Sequence, residues 1–156
     1  MSLVKVKEYL KKYDADDRVI VLDESSASVK EAAHALNTME GAIAKSIAVL
    51  INDKPVIIVL AGDRKLDNHK FKEEFHVKAK MIPFEETENI VGHAPGGVCP
   101  FGLNDGVIVY LDESLKEHHY VFPACGSSNS AIKLSLEEIE KFSNPVKWID
   151  VGKVIE

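Results

Sequence analysis

The pattern of apolar and polar positions divides the chain into short helices and strands. Apolar residues at helical spacing predict helices over residues 2–13, 28–40, 67–75, 83–91 and 135–142. Runs of alternating or β-branched apolar residues predict strands over residues 18–22, 43–51, 55–61, 107–111, 120–124, 130–134 and 145–151. Ser28 and Ser135 each precede a glutamate by three positions, which is capping-box spacing. Asn52-Asp53-Lys54 should join the second and third strands as a hairpin.

The order of these elements predicts the fold class. Helices and hairpin-linked strands follow one another without strict βαβ alternation, which favours a mixed α/β (α+β) domain. No linker-like segment separates the elements, so we expect residues 1–156 to form a single compact domain. With 46% hydrophobic residues, a chain of 156 can bury a substantial core.

Charge limits the partners that the protein could bind. The net charge is −6, with 25 acidic against 19 basic residues, whereas a protein that grips nucleic-acid phosphates over its whole surface is usually basic. A nucleic-acid partner would therefore need a local patch or help from a second protein. A lysine cluster is usually a solvated face, but one cluster is the best candidate for such a patch: Lys65, Lys70, Lys72, Lys78 and Lys80.

The cysteines and histidines suggest neither a disulfide nor a metal site. Cys99 and Cys125 lie far apart, and no signal-like or membrane-length apolar segment opens the chain, so we expect free thiols, a cytoplasmic location and no membrane contact. Cys125 has no activating base nearby, and a small buried thiol is the commoner case. His69 with His76, or His93 with Cys99, lacks metal-ligand spacing, so scattered surface histidines are the better account.

Residues 92–102 form the most unusual segment of the chain. They contain four glycines and two prolines and lead into a predicted strand. Glycine allows a ligand to approach the main chain, while proline stiffens the loop. A tight turn needs fewer residues, so this segment is a candidate site loop. Residues 123–130 form a second small-residue segment around Gly126, for which a hairpin turn or a β-bulge is the simpler interpretation.

Lys45 interrupts an apolar strand. Strand alternation places it on one face with Ile43, Ile47, Val49 and Ile51, and this β-branched face is the expected core face. Burying an unpaired ammonium is costly. Lys45 therefore either extends its ammonium to solvent or lines a polar pocket, where it could hold an anionic or carbonyl group.

Four segments together resemble one known family. They are Ala44-Lys45-Ser46, the strand end Ala61-Gly62-Asp63, the loop Gly-Gly-Val-Cys-Pro-Phe-Gly at 96–102, and the small-residue stretch around Gly126. In this order, over roughly residues 20–151, the chain resembles the YbaK-like, prolyl-tRNA-synthetase-associated editing domains. The resemblance implies a mixed, mostly antiparallel, barrel-like sheet with surrounding helices. It also implies hydrolysis of an amino acid wrongly attached to tRNA, most often tRNA for proline, without a cofactor or metal.

The resemblance also implies roles for individual residues. Lys45 matches a pocket lysine near the aminoacyl ester, and Gly96 and Gly97 match glycines whose backbone amides lie against the ester carbonyl. The remaining implied substrate contacts are Ser46, Val98, Cys99, Pro100, Phe101, Gly102, Gly126 and Ser127. The family usually has Ala-Gly, a basic residue and glycine in the last stretch, so Cys125 and Ser127-Ser128 depart from its pattern. Neither His118 nor His119 aligns with the late histidine of the synthetase-embedded versions.

Two functions fit these residues. The first is a free-standing deacylase that acts on mischarged tRNA carrying alanine, cysteine or another small amino acid. Its partners would be that tRNA and, in a delivery role, prolyl-tRNA synthetase. An aminoacyl ester is already activated, so positioned water and oxyanion donors would suffice, and Lys45 need not act as a base. The second is a non-catalytic module of the same fold that binds an aminoacyl or nucleotide-like ligand or a synthetase.

Overall fold

A curled, mixed β-sheet forms the centre of the protein, in a computed structural model that describes residues 2–155. The helices are α1 (Ser2–Leu10), α2 (Val29–Ala35), α3 (Asn68–Phe75), α4 (Thr87–Val91) and α5 (Leu136–Ser143). The strands are β1 (Ile20–Val21), β2 (Ile43–Ile51), β3 (Lys54–Ala61), β4 (Arg64–Leu66), β5 (Lys80–Met81), β6 (Ile108–Asp112), β7 (Tyr120–Pro123), β8 (Ser130–Ala131), β9 (Leu134–Ser135), β10 (Trp148–Ile149) and β11 (Gly152–Val154).

The sheet combines parallel and antiparallel neighbours. Its strand order is β10-β6-β3-β2-β7-β9, and β5 pairs with the far end of β2. The β10–β6, β6–β3 and β2–β7 pairs are parallel, while β2–β3, β2–β5 and β7–β9 are antiparallel. Two antiparallel ribbons, β1–β8 and β4–β11, stand beside this sheet. The predicted fold class, a mixed sheet with surrounding helices, is confirmed.

Most predicted elements are present, and the differences concern the second helix and very short strands. The helix predicted over residues 28–40 ends at Ala35. The capping boxes at Ser28 and Ser135 are formed, and Asn52 and Asp53 make the predicted hairpin turn with positive φ angles. The predicted strand over 130–134 is wrong as a single element, because it is split between β8 and β9. The predicted strand over 145–151 is reduced to β10. Strands of two or three residues, including the unpredicted β4, β5 and β11, are too short to show a period of two.

Both faces of the sheet are buried. On one face, a large cluster joins the sheet to α1 and α5 through Val6, Leu10, Ile139 and Phe142. On the other face, Phe71 of α3 packs with a smaller cluster. This double burial explains the continuous apolar sequence of β3, whose residues 56–61 are all buried.

The prediction of one core face for β2 is therefore wrong. Ile47 and Val49 do pack against the α3 cluster, as expected of the β-branched face. Ala44, Ala48 and Leu50, on the opposite face, contact the larger cluster. A strand between two layers has no solvent face, so alternation of residue types does not identify the core side.

Among the described residues, no helix is both long enough and apolar enough to cross a bilayer.

Two glycines with similar backbone angles offer a matched test of local packing. Gly126 has φ +92°, and a Cβ there would lie 2.7 Å from the carbonyl oxygen of Ser2. Gly106 has φ +88°, and a Cβ there would have no neighbour within 4 Å. Gly106→Ala should cost about 1 kcal/mol of unfolding free energy from backbone strain alone, and Gly126→Ala at least about 2 kcal/mol more. Urea unfolding measures both, and equal losses would contradict the tight contact.

Candidate functional site

The strand β2 is unpaired along one edge in its middle. β7 pairs with residues 43–44 and β5 pairs with residues 49–50 on the edge opposite β3. Residues 45–48 lie between these two pairings, with no strand beside them on that edge among residues 2–155. The sheet therefore has an internal gap that exposes main-chain hydrogen-bonding groups.

The backbone groups of Ser46 and Ala48 point into this gap. The hairpin has a two-residue turn, which is closed by a hydrogen-bonded pair, here Ile51 and Lys54. Hydrogen-bonded pairs alternate along an antiparallel ladder, so the odd-numbered residues of β2 bond to β3 and the even-numbered residues face the other edge. Ala61 lies opposite the even-numbered Ala44 in this ladder. Its N–H accordingly donates to the Ser114 hydroxyl at 3.0 Å rather than to β2.

The gap opens into a cleft of about 390 Å³. One wall is the start of α2 and the residues before it, and another is the glycine-rich loop. A third wall is the segment from β5 to α4. The lining residues used below are Lys45, Ser46, Gly96, Val98, Met81 and Phe84. The size and the mixture of apolar walls with a few polar groups are typical of a small-molecule subsite.

Lys45 lies on the wall of the cleft with its ammonium held by the main chain. The side chain is half-buried, and Nζ donates to the carbonyl oxygen of Arg64 at the start of β4. Burial lowers the pKa of Lys45, and the nearby Asp63 carboxylate opposes that shift. An ammonium has three N–H donors, so donors remain for a ligand. Of the two interpretations of this lysine, the structure supports the pocket.

Ser46 contributes a hydroxyl that lacks a partner. Its Oγ is buried and makes no hydrogen bond within residues 2–155. Leaving a buried hydroxyl unsatisfied costs about 1–3 kcal/mol, and such a group in a native structure needs an explanation. Ser46 lines the cleft, but its unsatisfied hydroxyl lies beneath the wall rather than at its surface.

The two adjacent glycines of the loop have different surroundings. Gly96 lines the cleft with φ +91°, and its N–H has no acceptor among the described residues. The N–H of Gly97 donates to the carbonyl oxygen of Ala94 at 3.0 Å. A Cβ at Gly97 would lie 2.7 Å from the carbonyl carbon of Gly126, so the two small-residue segments meet there. Gly96 therefore has an available amide, whereas Gly97 allows close packing of the main chains.

The interior of the loop is held by a buried histidine. His93 is fully buried, and its Nε2–H donates to the carbonyl oxygen of Phe101 at 2.6 Å. Cys99 Sγ lies 3.5 Å from the same nitrogen. The expectation that the histidines lie at the surface is thus wrong for His93, because its ring closes the loop from inside. Burial lowers the pKa of His93 and keeps the ring neutral.

The other predicted contacts lie away from the lining of the cleft. Cys99 and Phe101 are fully buried in the large core cluster, and Pro100 and Gly102 line a different depression, beside α1 and α5. The Ser127 hydroxyl donates to the Ser130 hydroxyl at 2.6 Å. Whether these residues affect a substrate stays a prediction, and any such effect would pass through the shape of the loop.

Both cysteines are buried thiols. Burial raises the pKa of Cys99 to about 12 and raises that of Cys125 as well. A thiol with so high a pKa supplies almost no thiolate near neutral pH, so neither cysteine is suited to be a nucleophile. Their predicted state as free thiols is confirmed.

The predicted lysine cluster is partly dispersed. Lys70 is bonded to Asp150 at 3.0 Å. Lys65, in β4, lies directly opposite Lys153 of β11, which the sequence did not connect with it. Both side chains are exposed, and neither forms an ion pair within residues 2–155. Like charges opposite one another destabilise a ladder, so an anion bound beside this ribbon would be favourable.

Sequence patterns did not reveal two features of the cleft. The gap in β2 depends on where β5 and β7 end, which the sequence of β2 does not record. Met81 and Phe84, at the rim, are 60% and 75% exposed. Phe84 follows Pro83 at the start of a predicted helix, and nothing in the periodicity distinguishes it from a core position.

Comparison with known families identifies the domain. Residues 23–142 match the model of a family described as the aminoacyl-tRNA editing domain, which is most of the chain. The chain belongs to this aminoacyl-tRNA editing family. The resemblance inferred from the sequence is thereby confirmed at the level of the family.

Individual relatives agree with this assignment. An uncharacterized protein of Bacillus subtilis (strain 168), YwhH, is 44% identical over 154 residues and covers 98% of both chains. The proline–tRNA ligase of the same organism is 26% identical over 106 residues, which is 60% of this chain and 19% of the ligase. The editing domain studied here thus corresponds to about a fifth of that ligase.

Solved structures share the fold. One is described as a proposed trans-editing enzyme for prolyl tRNA synthetase, with a TM-score of 0.88 and 25% identity over 97% of each chain. Another, the hypothetical protein APE2540, has a TM-score of 0.83 and 25% identity over 96% of this chain and 99% of that one. The fold of this chain therefore matches each of these solved chains over nearly its whole length.

The neutral state of His93 predicts a pH dependence of stability. Below about pH 6.5, His93 is protonated in the unfolded chain, whereas its buried ring stays neutral in the folded protein. The unfolding free energy should therefore fall as the pH drops, by up to about 1.4 kcal/mol per pH unit. His93→Gln should be less stable near neutral pH and should lose part of this slope. Urea unfolding at several pH values between about 5 and 7.5 measures it. His119→Gln, at an exposed site with no ion pair among residues 2–155, is the control. An unchanged slope in His93→Gln would contradict this role.

Proposed function

We propose that this protein hydrolyses the ester of a mischarged aminoacyl-tRNA within the cleft beside β2. The observation that carries the proposal is that one cleft, in a domain of the editing family, is lined by residues whose polar groups are not all paired. They are the unpaired edge of β2 at Ser46, the Gly96 N–H and the remaining N–H donors of Lys45.

The reaction requires few catalytic groups. Water attacks the ester carbonyl carbon, and the carbonyl oxygen becomes an oxyanion in the tetrahedral intermediate. Collapse of the intermediate breaks the bond to the ribose oxygen, which takes up the proton lost by the attacking water, and releases the amino acid. Because an aminoacyl ester is already activated, positioning and electrostatic stabilisation can supply most of the rate enhancement.

Gly96 is the preferred oxyanion donor in this proposal. Gly96 lines the cleft and its N–H has no acceptor among the described residues, whereas the N–H of Gly97 already bonds to Ala94. The edge groups of Ser46 provide a second main-chain contact for the substrate. These donors do not titrate, which suits a reaction at neutral pH.

Lys45 has a positioning role in this proposal. Its ammonium is fixed by the Arg64 carbonyl and still has N–H donors for the ester or the terminal ribose. Although burial lowers the pKa of Lys45, the nearby Asp63 carboxylate favours its charged form, so we assign it to binding and charge stabilisation.

We propose that the substrate carries a small amino acid. Ala44, Ala48 and Val98 are apolar residues that line the cleft together with Ser46 and Gly96. The proposed substrates are alanine, cysteine and serine attached to tRNA for proline. Prolyl-tRNA synthetase is a proposed partner that delivers these mischarged tRNAs. An apolar pocket discriminates one methylene by only about 1–3 kcal/mol, which is why a separate editing step is useful.

The β4–β11 ribbon is the proposed contact for the tRNA backbone. Lys65 and Lys153 lie on it, and its first residue, Arg64, holds Lys45 through its carbonyl, so the ribbon is adjacent to the cleft. Lys65→Gln with Lys153→Gln should weaken tRNA binding and reduce the slope of log K against log salt by about 1–2. The control is Lys54→Gln with Lys141→Gln, because both of these lysines are exposed and lie outside the ribbon. An unchanged slope would place the tRNA elsewhere.

Removal of the pocket ammonium tests the catalytic proposal. Lys45→Ala should reduce deacylation of alanyl-, cysteinyl- or seryl-tRNA for proline by about 100-fold or more, because a charged contact to the transition state is lost. Lys54→Ala, at the exposed end of the same hairpin, should retain wild-type turnover. Release of amino acid is measured, with circular dichroism as a check of folding.

Two outcomes would contradict this assignment. Unchanged turnover in folded Lys45→Ala would remove the lysine from the mechanism. Absence of turnover by the wild type on all three esters, with tight binding of a non-hydrolysable analogue, would instead favour the non-catalytic binding module.

A further inference from the structure

The rim of the cleft carries a phenylalanine that the fold does not use. Phe84 is 75% exposed, although it lines the same cleft as Ser46 and Gly96. Met81 beside it is 60% exposed. Burying a phenylalanine side chain contributes about 1.5–3 kcal/mol, so the fold leaves most of this contribution unused at one mouth of the cleft.

The backbone beneath Phe84 is fixed. Ile82 is 7% exposed and is part of the large core cluster, and Pro83 restricts the chain at the next position. The carbonyl of Pro83 accepts both the N–H of Glu86 and the hydroxyl of Thr87, each at 3.0 Å. The ring therefore stands on a rigid turn, so little ordering entropy would be lost when a ligand packs against it.

Neighbouring charges restrict what can cover the ring. Glu85 and Glu86 follow Phe84 directly and are exposed, and neither forms an ion pair within the described part of the chain. They would repel a phosphate chain that followed this rim. An uncharged, planar group has no such penalty and gains stacking on the aromatic face.

We propose that Phe84 is a stacking platform for the base of the terminal nucleotide, the adenosine that carries the amino acid. This inference rests on the proposed function, because the ester within the cleft places that base at its mouth. Met81 extends the apolar surface beneath the base, and the phosphates leave toward the β4–β11 ribbon rather than along the acidic rim.

A double-mutant cycle on binding tests the proposal without relying on hydrolysis. The ligands are two acceptor-stem minihelices with amide-linked alanine, one ending in adenosine and the other in an abasic ribose. Wild-type protein should bind the adenosine form about 5- to 150-fold more tightly, the range equivalent to stacking one base. Phe84→Ala should bind both forms equally, and Phe84→Trp should keep the preference. Met39→Ala removes an apolar side chain that is 64% exposed outside the cleft, and should also keep it.

Several results would overturn the proposal. An equal preference for adenosine in wild type and Phe84→Ala would mean that the base is contacted elsewhere. A full preference in Phe84→Leu would mean that apolar burial suffices and that no ring stacks. Failure of wild-type protein to bind either minihelix would overturn it together with the proposed substrate.

Kinetics separate this proposal from the proposed function. If wild-type protein binds with the predicted preference but releases no amino acid from ester-linked tRNA, the hydrolase proposal fails while stacking stands. If it hydrolyses the ester and Phe84→Ala is within about twofold of it in kcat/KM, stacking fails. The salt slope should be unchanged in Phe84→Ala, because no phosphate contact is removed.

Discussion

The interrupted pairing of β2 is the feature on which the candidate site depends. Main-chain groups in a sheet are normally satisfied by the next strand, and here two different strands cover only the ends of one edge. The middle retains N–H and C=O groups in fixed directions at the wall of a cleft. Because the opposite edge is fully paired with β3, the exposed groups stay in place without a ligand. The fold thus supplies binding groups without a specialised side chain.

The glycine-rich loop converts this gap into a cleft. Its shape depends on groups that never meet a ligand: the His93 ring bonded to Phe101, and Gly97 packed on Gly126. This loop brings Gly96 to the lining of the cleft that Ser46 also lines. A site built in this way is sensitive to buried substitutions, and its main-chain donors do not titrate near neutral pH. This property is compatible with hydrolysis of an activated ester and with binding alone.

The sequence predicted the long elements and the residue types of the site. Capping boxes, the hairpin turn and the apolar β3 follow from local chemistry and were found as predicted. The uncommon lysine in β2 and the glycine-rich loop both contribute residues that line the cleft.

Features that depend on contacts between distant segments were not predictable in this way. The gap beside Ser46 arises from the positions at which β5 and β7 end. His93 is buried because its own loop folds over it. Lys65 and Lys153 are paired by a ribbon of very short strands. None of these leaves a periodic signal in a single sequence. Exposure of Phe84 is likewise a property of the assembled rim.

A structure of the protein with an amide-linked alanyl-adenosine analogue would test the central claim most directly. The account predicts that the carbonyl oxygen of the analogue accepts the Gly96 N–H, at about 2.9 Å, with the amino acid beside Ser46 and Val98. The amide would then lie along the unpaired edge of β2. An analogue bound at a different surface, or within the cleft but with its carbonyl turned away from both Gly96 and Lys45, would contradict it.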